Sequence, residues 1–213
     1  MRHIGKFVAT LGLAFGLSNA AAAAVVYNEG VNGDLADSFS SPTGISIASP
    51  GANQVIGTLT NPGPALANVN RDYFTITIPF GYTLQSLILT NFTKTVGNLG
   101  FLAIASGATA PDPTTPAAQL PALLVGYTHL STTLVGTDIL PLIGHAAGAT
   151  GFSQTLVAGT YTFWLQDTSV NTVDDFTITL NVAIPEPASA LLFGASLAGL
   201  GWARRRRRAL PAG

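Results

Sequence analysis

The sequence predicts an all-β protein, an antiparallel β-sandwich or jelly roll, flanked by an N-terminal signal peptide and a single C-terminal transmembrane helix. Three observations lead to this prediction. Only 9% of the 213 residues are charged, and 23 glycines and 13 prolines interrupt the chain, which suits short strands better than long surface helices. Apolar and polar residues alternate through the middle of the chain, as half-buried strands require. Each end instead carries an uncharged apolar run beside basic residues.

The first 24 residues have the three-part order of a secretory signal peptide. Arg2 and Lys6 precede an apolar run, 7–17, and small residues follow it. Cleavage after Ala20 or after a later alanine fits this pattern. The alternative is a retained membrane helix, for which the apolar run is short. We therefore expect residues 1–24 to direct Sec-type export and to be removed.

The other end of the chain has the features of a membrane anchor. Pro185, Glu186 and Pro187 precede sixteen uncharged residues, 188–203. Because proline has no amide hydrogen, the two prolines can end a strand and begin a helix. Glu186 suits the positive end of the helix dipole. Sixteen helical residues span about 24 Å, less than the roughly 30 Å of a hydrocarbon core, so the fit requires local thinning or long basic side chains.

Five consecutive arginines follow the apolar segment: Arg204, Arg205, Arg206, Arg207 and Arg208. Basic residues beside a membrane helix mark its cytoplasmic end, so the domain before the helix is expected outside the cytoplasm. The alternative is a core helix followed by a solvated basic tail, which gives the five arginines no role. Residues 209–213 form a short tail.

Residues 184–208 resemble a PEP-CTERM sorting signal, because the Pro-Glu-Pro triplet, the apolar segment and the arginines occur in order at the C-terminus. The resemblance implies that Pro185, Glu186 and Pro187 are a substrate of an exosortase, a membrane-embedded transpeptidase-like enzyme of Gram-negative bacteria. It implies a precursor anchored in the inner membrane with its domain in the periplasm, and later a location at the cell surface or outside the cell. Bacteria with such signals commonly make extracellular polysaccharide and biofilm.

The ectodomain predicted over 25–183 is acidic. Its basic residues are Arg71 and Lys94, against nine acidic residues, which gives a net charge of −7 with histidine neutral. A surface this poor in cations cannot neutralise phosphates, so nucleic-acid binding is not expected. The chain has no cysteine, which excludes disulfides and thiolate metal sites. Burial and sheet pairing must therefore stabilise the domain.

Strand alternation is clearest in residues 72–78, where Phe74, Ile76 and Ile78 share one face. Further strands are predicted at 54–60, 83–90, 99–105, 123–128, 151–157, 159–166 and 175–182. The segment 106–121 contains four prolines and is predicted to be a long surface loop. Phe-Thr-Ile-Thr occurs at both 74–77 and 176–179, which fits either a duplicated unit or two strands under the same packing constraint.

Most of the region from Tyr27 to Val182 resembles the bacterial pre-peptidase C-terminal type of β-sandwich. The resemblance is carried by Asn28-Glu29, Gly33-Asp34-Leu35-Ala36-Asp37, Asp72-Tyr73-Phe74, Ile78-Pro79-Phe80-Gly81 and Ala158-Gly159-Thr160-Tyr161-Thr162-Phe163. It implies the sandwich fold.

Some relatives of this type bind calcium through carboxylates, and the resemblance makes Glu29, Asp34, Asp37 and Asp72 the candidate ligands here. The chain departs from the pattern at Asn70, where relatives often have a second acid two residues before the Asp72 position. A contiguous loop of the EF-hand kind is not present in the sequence. The alternative is turn chemistry, in which Asx side chains cap the backbone around Asp34.

The inventory of catalytic residues is thin. His129 and His145 are the histidines beyond the signal peptide and have no metal-binding spacing, and neither a Gly-x-Ser-x-Gly elbow nor a Gly-rich phosphate loop occurs. We therefore expect a non-enzymatic surface or matrix protein without a cofactor, whose Thr/Asn/Gly-rich faces interact with exopolysaccharide. The alternative is an extracellular module that binds calcium or carbohydrate.

Trp164 is the candidate carbohydrate-binding residue. It shares a strand face with Thr162 and Gln166, and an indole that faced solvent there could stack on a sugar ring. The alternative is an indole covered by a loop or by a second sheet.

Overall fold

The computed structural model describes residues 22–63, 69–93 and 99–185. Nine strands lie within these ranges: β1 (Ala24–Asn28), β2 (Thr43–Gly44), β3 (Gly51–Asn61), β4 (Arg71–Ile78), β5 (Thr83–Phe92), β6 (Gly100–Ser106), β7 (Gly126–Leu130), β8 (Gly159–Asp167) and β9 (Thr172–Ala183). Two short helices accompany them, α1 (Glu29–Asn32) and α2 (Leu140–Gly144), with 3₁₀ turns at Leu120–Leu123 and Thr132–Leu134.

The strands form two sheets. One has four strands in the order β1-β3-β9-β5, and the other has five in the order β2-β4-β8-β6-β7. Pairing is antiparallel in the body of each sheet, whereas β1 and β2 pair parallel with β3 and β4 at the sheet edges. The prediction of an all-β, mainly antiparallel sandwich is confirmed.

The core lies between the two sheets, where the alternating pattern directs one face of each strand. Phe74 of β4 stacks on Phe163 of β8 with ring centroids 4.9 Å apart, and Phe176 of β9 enters the same core from the four-stranded sheet. The two Phe-Thr-Ile-Thr segments therefore lie in different sheets with each phenylalanine buried. Facing the same core is a sufficient physical reason for their common pattern.

Two predicted strands are wrong in detail. The segment 151–157 makes one isolated bridge, Leu156 to Leu84, rather than a strand, and it begins at Gly151 with a φ of 73°, which a strand cannot accommodate. The strand predicted over 123–128 begins at Gly126 because a 3₁₀ turn with Pro121 near its start precedes it. Sequence patterns also missed β1, which is a short parallel edge strand.

Both ends of the described domain lie at the same end of the sandwich. Ala24 at the start of β1 pairs with Asn53, and Asn53 pairs with Leu180, close to the end of β9 at Ala183. We call this the proximal end. The distal end carries Asn61 paired with Thr172. At about 3.4 Å per residue, β9 separates the two ends by roughly 37 Å.

Several sequence predictions concern residues outside the described ranges. These are most of the signal peptide, Lys94, the Glu186 and Pro187 members of the triplet, the predicted transmembrane helix 188–203, the arginines 204–208 and the tail. Within residues 22–63, 69–93 and 99–185, none of the helices has the length and apolar character needed to cross a bilayer.

Candidate cation site

Three carboxylates from different elements meet at the distal end of the sandwich. Glu29 begins α1, Asp34 lies in the loop that follows, and Asp72 is the second residue of β4. One carboxylate oxygen of each residue lies within 4.8 Å of those of the other two. The structure therefore brings together three of the four residues that the sequence singled out.

Asp72 is the buried member of this group. The alternation that turns Phe74 and Ile76 into the core also turns Asp72 inward, and its side chain is 0% exposed. Neither of its carboxylate oxygens has a hydrogen-bond partner within the described residues. Burial, followed by the charges of Glu29, Asp34 and Asp37, raises the pKa of Asp72 to about 9. A buried carboxylate without a partner is costly, and a bound cation would satisfy it.

Glu29 connects the cluster to the four-stranded sheet. Its Oε2 accepts a hydrogen bond from Thr58 N at 2.7 Å, and its Oε1 accepts one from Leu35 N at 3.1 Å. Burial and the neighbouring Asp34 raise the pKa of Glu29, and the two backbone donors oppose that rise. Each carboxylate oxygen has a second lone pair, so both oxygens can still coordinate a cation.

Gly57 makes room for the Glu29 carboxylate. A Cβ atom at position 57 would lie 2.9 Å from Glu29 Cδ and 2.6 Å from Cζ of Phe176. The position faces the core between a buried ring and the carboxylate, where neither neighbour can move away easily. The absence of a side chain is therefore a requirement of the site.

Asn70 supplies a fourth polar group. It lies two residues before Asp72, and its Nδ2 donates to Asp34 Oδ2 at 3.3 Å. Its Oδ1 is buried and has no hydrogen-bond partner within the described residues. The chain thus departs from the acidic pattern at this position, yet the replacement is an amide whose carbonyl oxygen is a ligand that calcium accepts.

Asp37 lies outside the group of three carboxylates. Its Oδ1 accepts a hydrogen bond from Arg71 N at 3.0 Å, so it holds the first residue of β4 in place. The negative charge of Asp37 also contributes to the raised pKa of Asp72. In this structure its contribution to the site is electrostatic and structural.

Next to the site, asparagine side chains accept hydrogen bonds from backbone amides and stabilise the turn. Asn28 Oδ1 accepts from Gly30 N at 2.9 Å, and Asn32 Oδ1 accepts from Asn28 N at 2.9 Å. Tyr27 donates its hydroxyl to Gly33 O at 3.0 Å. These bonds shape the loop that presents Glu29 and Asp34.

The ligand chemistry of the cluster is that of a hard divalent cation. Carboxylate and amide oxygens are the donors that calcium takes, in a coordination shell that tolerates irregular geometry. The donors come from the start of α1, the loop that follows it and strand β4, which is compatible with that tolerance. The ligand types of the described residues fit calcium.

Trp164 lies away from this site, on the outer face of the five-stranded sheet, and is 3% exposed. Its ring packs between Tyr73 and Phe101, with centroids 5.6 and 5.2 Å away, and its Nε1 donates to Gln166 Oε1 at 3.1 Å. Ala110 and Leu124, from the segment that follows β6, belong to the same apolar cluster. The indole is therefore covered in this structure, which is the alternative that the sequence left open for Trp164.

The outer face of the four-stranded sheet is polar. Side-chain hydrogen bonds connect its strands in rows: Gln54 to Thr179, Thr179 to Thr90, Asn181 to Ser86, and Thr58 to Asp175. At the distal end of this face, a cleft of about 230 Å³ is lined in part by Asn91, Asp175 and Thr177. Hydroxyl and amide groups thus dominate this surface, which we call the polar face.

The described domain is an acidic β-sandwich with a carboxylate cluster at the end opposite its chain ends. Residues 183–208 match the family described as the PEP-CTERM protein-sorting motif, and this confirms the resemblance seen in the sequence. The chain carries a PEP-CTERM sorting motif and is an exported protein targeted to an exosortase, with a membrane-anchored precursor. Searches of curated proteins and of solved structures found no significant match.

Proposed function

We propose that the chain is a non-enzymatic component of the cell surface or extracellular matrix that associates with exopolysaccharide. The observation that carries this proposal is the sorting motif at 183–208, because bacteria with such signals commonly make extracellular polysaccharide. In this proposal, the segment 188–203 anchors the precursor in the inner membrane and Arg204 to Arg208 stay in the cytoplasm. The domain enters the periplasm and then moves to the surface or the exterior.

The polar face supports the contact with polysaccharide. Thr, Gln and Asn side chains can exchange hydrogen bonds with sugar hydroxyls. Asp175 is the charged residue among those that form the hydrogen-bonded rows of this face. The nine acidic residues of the ectodomain favour an uncharged polymer over a polyanionic one. Each contact is weak, and many contacts along a polymer add through multivalency.

The positions of the two histidines support a non-enzymatic role. His129 on β7 lies edge-on to Phe101, with ring centroids 5.9 Å apart, while His145 follows α2 and places its Nδ1 2.7 Å from Pro141 O. Neither contact pairs a base with a nucleophile. The proposed role needs no reacting group.

A binding assay tests the polysaccharide contact. The exported chain is passed over immobilised exopolysaccharide from the producing cells, together with Thr177→Glu on the polar face and Thr77→Glu on the exposed outer face of the other sheet. We expect retention of the wild-type chain and of Thr77→Glu, and a several-fold loss for Thr177→Glu. If the wild-type chain is not retained, the association with exopolysaccharide is wrong. Equal retention of all three proteins would exclude the polar face as the polysaccharide-binding surface.

Calcium binding is a second candidate function, and the buried, unpartnered carboxylate of Asp72 favours it. A ligand that binds only the folded state raises its stability, by about 2.7 kcal/mol at a hundredfold excess over Kd. Thermal unfolding of the exported chain should therefore shift upward in millimolar calcium chloride and return in EGTA. An unchanged midpoint would eliminate a structural calcium site.

A further inference from the structure

The segment 24–37, which we call the crossing segment, connects the edge of the four-stranded sheet to β4 of the five-stranded sheet. Its first part is β1, which pairs with β3 at the edge of the four-stranded sheet. Its last part reaches β4 of the other sheet, where Tyr73 N donates to Ala36 O at 2.9 Å. Leu35 lies between these contacts and is 1% exposed within the core. The segment therefore covers one side of the core.

The strand pairing of the crossing segment is short and irregular. β1 has five residues and its pairing shifts register between Val25 and Tyr27, and α1 has no buried residue. The hydrogen bond from Thr58 N to Glu29 Oε2 connects the middle of the segment to β3. Short, irregular edge strands of this kind open locally at a lower cost than core strands do.

The carboxylate cluster lies across the boundary between the crossing segment and the rest of the sandwich. Glu29 and Asp34 belong to the segment, whereas Asp72 belongs to β4, and their oxygens lie within 4.8 Å of one another. Three carboxyl groups at this separation either repel one another as anions or must take up a proton, so closure is costly in the absence of a cation. The fully buried and unpartnered carboxylate of Asp72 independently indicates a missing positive partner. A divalent cation bound by all three residues would attract each of them and hold the crossing segment against β4.

We propose that calcium at Glu29, Asp34 and Asp72 acts as a clasp that holds the crossing segment on the sandwich. The inference rests on the proposed calcium-binding function and adds its structural consequence. Removal of calcium releases β1 and uncovers the edge of β3 from Asn53 to Ile56, where β1 now pairs. An uncovered edge presents unpaired backbone groups to other chains. Extracellular calcium thus keeps the exported domain closed against edge-to-edge association.

Hydrogen exchange measured by mass spectrometry tests the clasp. The exported chain, purified in detergent, is compared in calcium chloride and in EGTA, and calcium binding is measured on the same samples by calorimetry. We expect peptides covering 24–37 to exchange at least ~10-fold faster in EGTA, while peptides from β8 stay unchanged. Asp72→Asn should bind no calcium and should show slower exchange of 24–37 than the wild-type chain in EGTA, because it removes the cost of burying an acidic group among the other carboxylates. Asp112→Asn, which changes an exposed acid outside the carboxylate cluster, should behave as the wild-type chain.

The outcomes separate the clasp from the site on which it rests. Calcium binding without a change in the exchange of 24–37 would overturn the clasp and leave the calcium site intact. A uniform rise in exchange that includes β8 would also overturn it, since calcium would then stabilise the whole domain. If the wild-type chain binds no calcium, both proposals fail.

Discussion

Glu29 and Asp72 meet at the distal end of the sandwich although they are held by different sheets. Glu29 is fixed to the four-stranded sheet through Thr58 N, and Asp72 is part of β4 in the five-stranded sheet. Their ligand oxygens lie within 4.8 Å of each other, together with one from Asp34. The site therefore forms only when the two sheets and the crossing segment are assembled.

Replacement of Asp72 should stabilise the chain in the absence of calcium. Asp72→Asn removes an acidic group that is costly to keep in the fold because of its burial and the charges of Glu29, Asp34 and Asp37, so we expect the free energy of unfolding in EGTA to rise by about 2 kcal/mol near neutral pH. Urea denaturation measures the change. Asp112→Asn, whose side chain lies in an exposed loop, is the matched control. A loss of stability in Asp72→Asn under EGTA would contradict this view of the site.

The stability of the calcium-free chain should decrease with rising pH. The unfolded chain releases the Asp72 proton near the ordinary value of 3.8, whereas the folded chain holds it up to about 9. The stabilisation is thus complete below the lower value and is lost as the pH approaches the upper one, by at most about 1.4 kcal/mol per pH unit. Urea denaturation in EGTA at several pH values measures this slope. The same slope in Asp72→Asn would show that another group causes it.

A side chain at position 57 should disturb both the core and the site. Gly57→Ala places a Cβ atom 2.6 Å from the Phe176 ring and 2.9 Å from Glu29 Cδ, so we expect a loss of about 1–3 kcal/mol and weaker calcium binding. Gly44→Ala in β2 is the control, since nothing lies within 4 Å of its Cβ position. Thermal unfolding with and without calcium compares the two. Equal midpoints would contradict the close packing around Glu29.

Trp164 should report a buried environment that polysaccharide does not change. In a Trp202→Phe background, Trp164 is the remaining tryptophan, and its 3% exposure predicts blue-shifted emission and weak quenching by acrylamide. Trp164→Ala should cost about 3–5 kcal/mol, which is a structural effect. Emission that shifts when exopolysaccharide is added would instead place the indole in the binding surface.

The sequence predicted the parts of this molecule that depend on local alternation. The period-two pattern in β4 gave the inward direction of Phe74 and Ile76, and the pattern in β8 put Trp164 on the opposite face from Phe163. The sequence left open whether Trp164 is covered. It could not identify Ala110 and Leu124 as the covering residues, because their contact with the indole depends on how the chain after β6 folds back. The strand β1 was missed because five residues in a parallel edge pair carry little periodic signal.

The sequence predicted which residues form the candidate site, but it did not predict their arrangement. Glu29, Asp34 and Asp72 were identified through a family resemblance, which could not show that Asp72 is fully buried or that Asp37 instead accepts from Arg71 N. Asn70 counted against the site in the sequence, since it replaces an acid. In the folded chain its amide lies against Asp34, a contact that depends on long-range packing.

Calorimetric titration of calcium into the exported chain, first stripped with EGTA, tests the central claim most directly. We predict one calcium ion bound per wild-type chain and per Asp112→Asn chain, and none per Asp72→Asn chain. Wild-type protein that takes up no calcium, or Asp72→Asn protein that binds it with unchanged stoichiometry and affinity, would contradict the assignment of Glu29, Asp34 and Asp72 as a cation site.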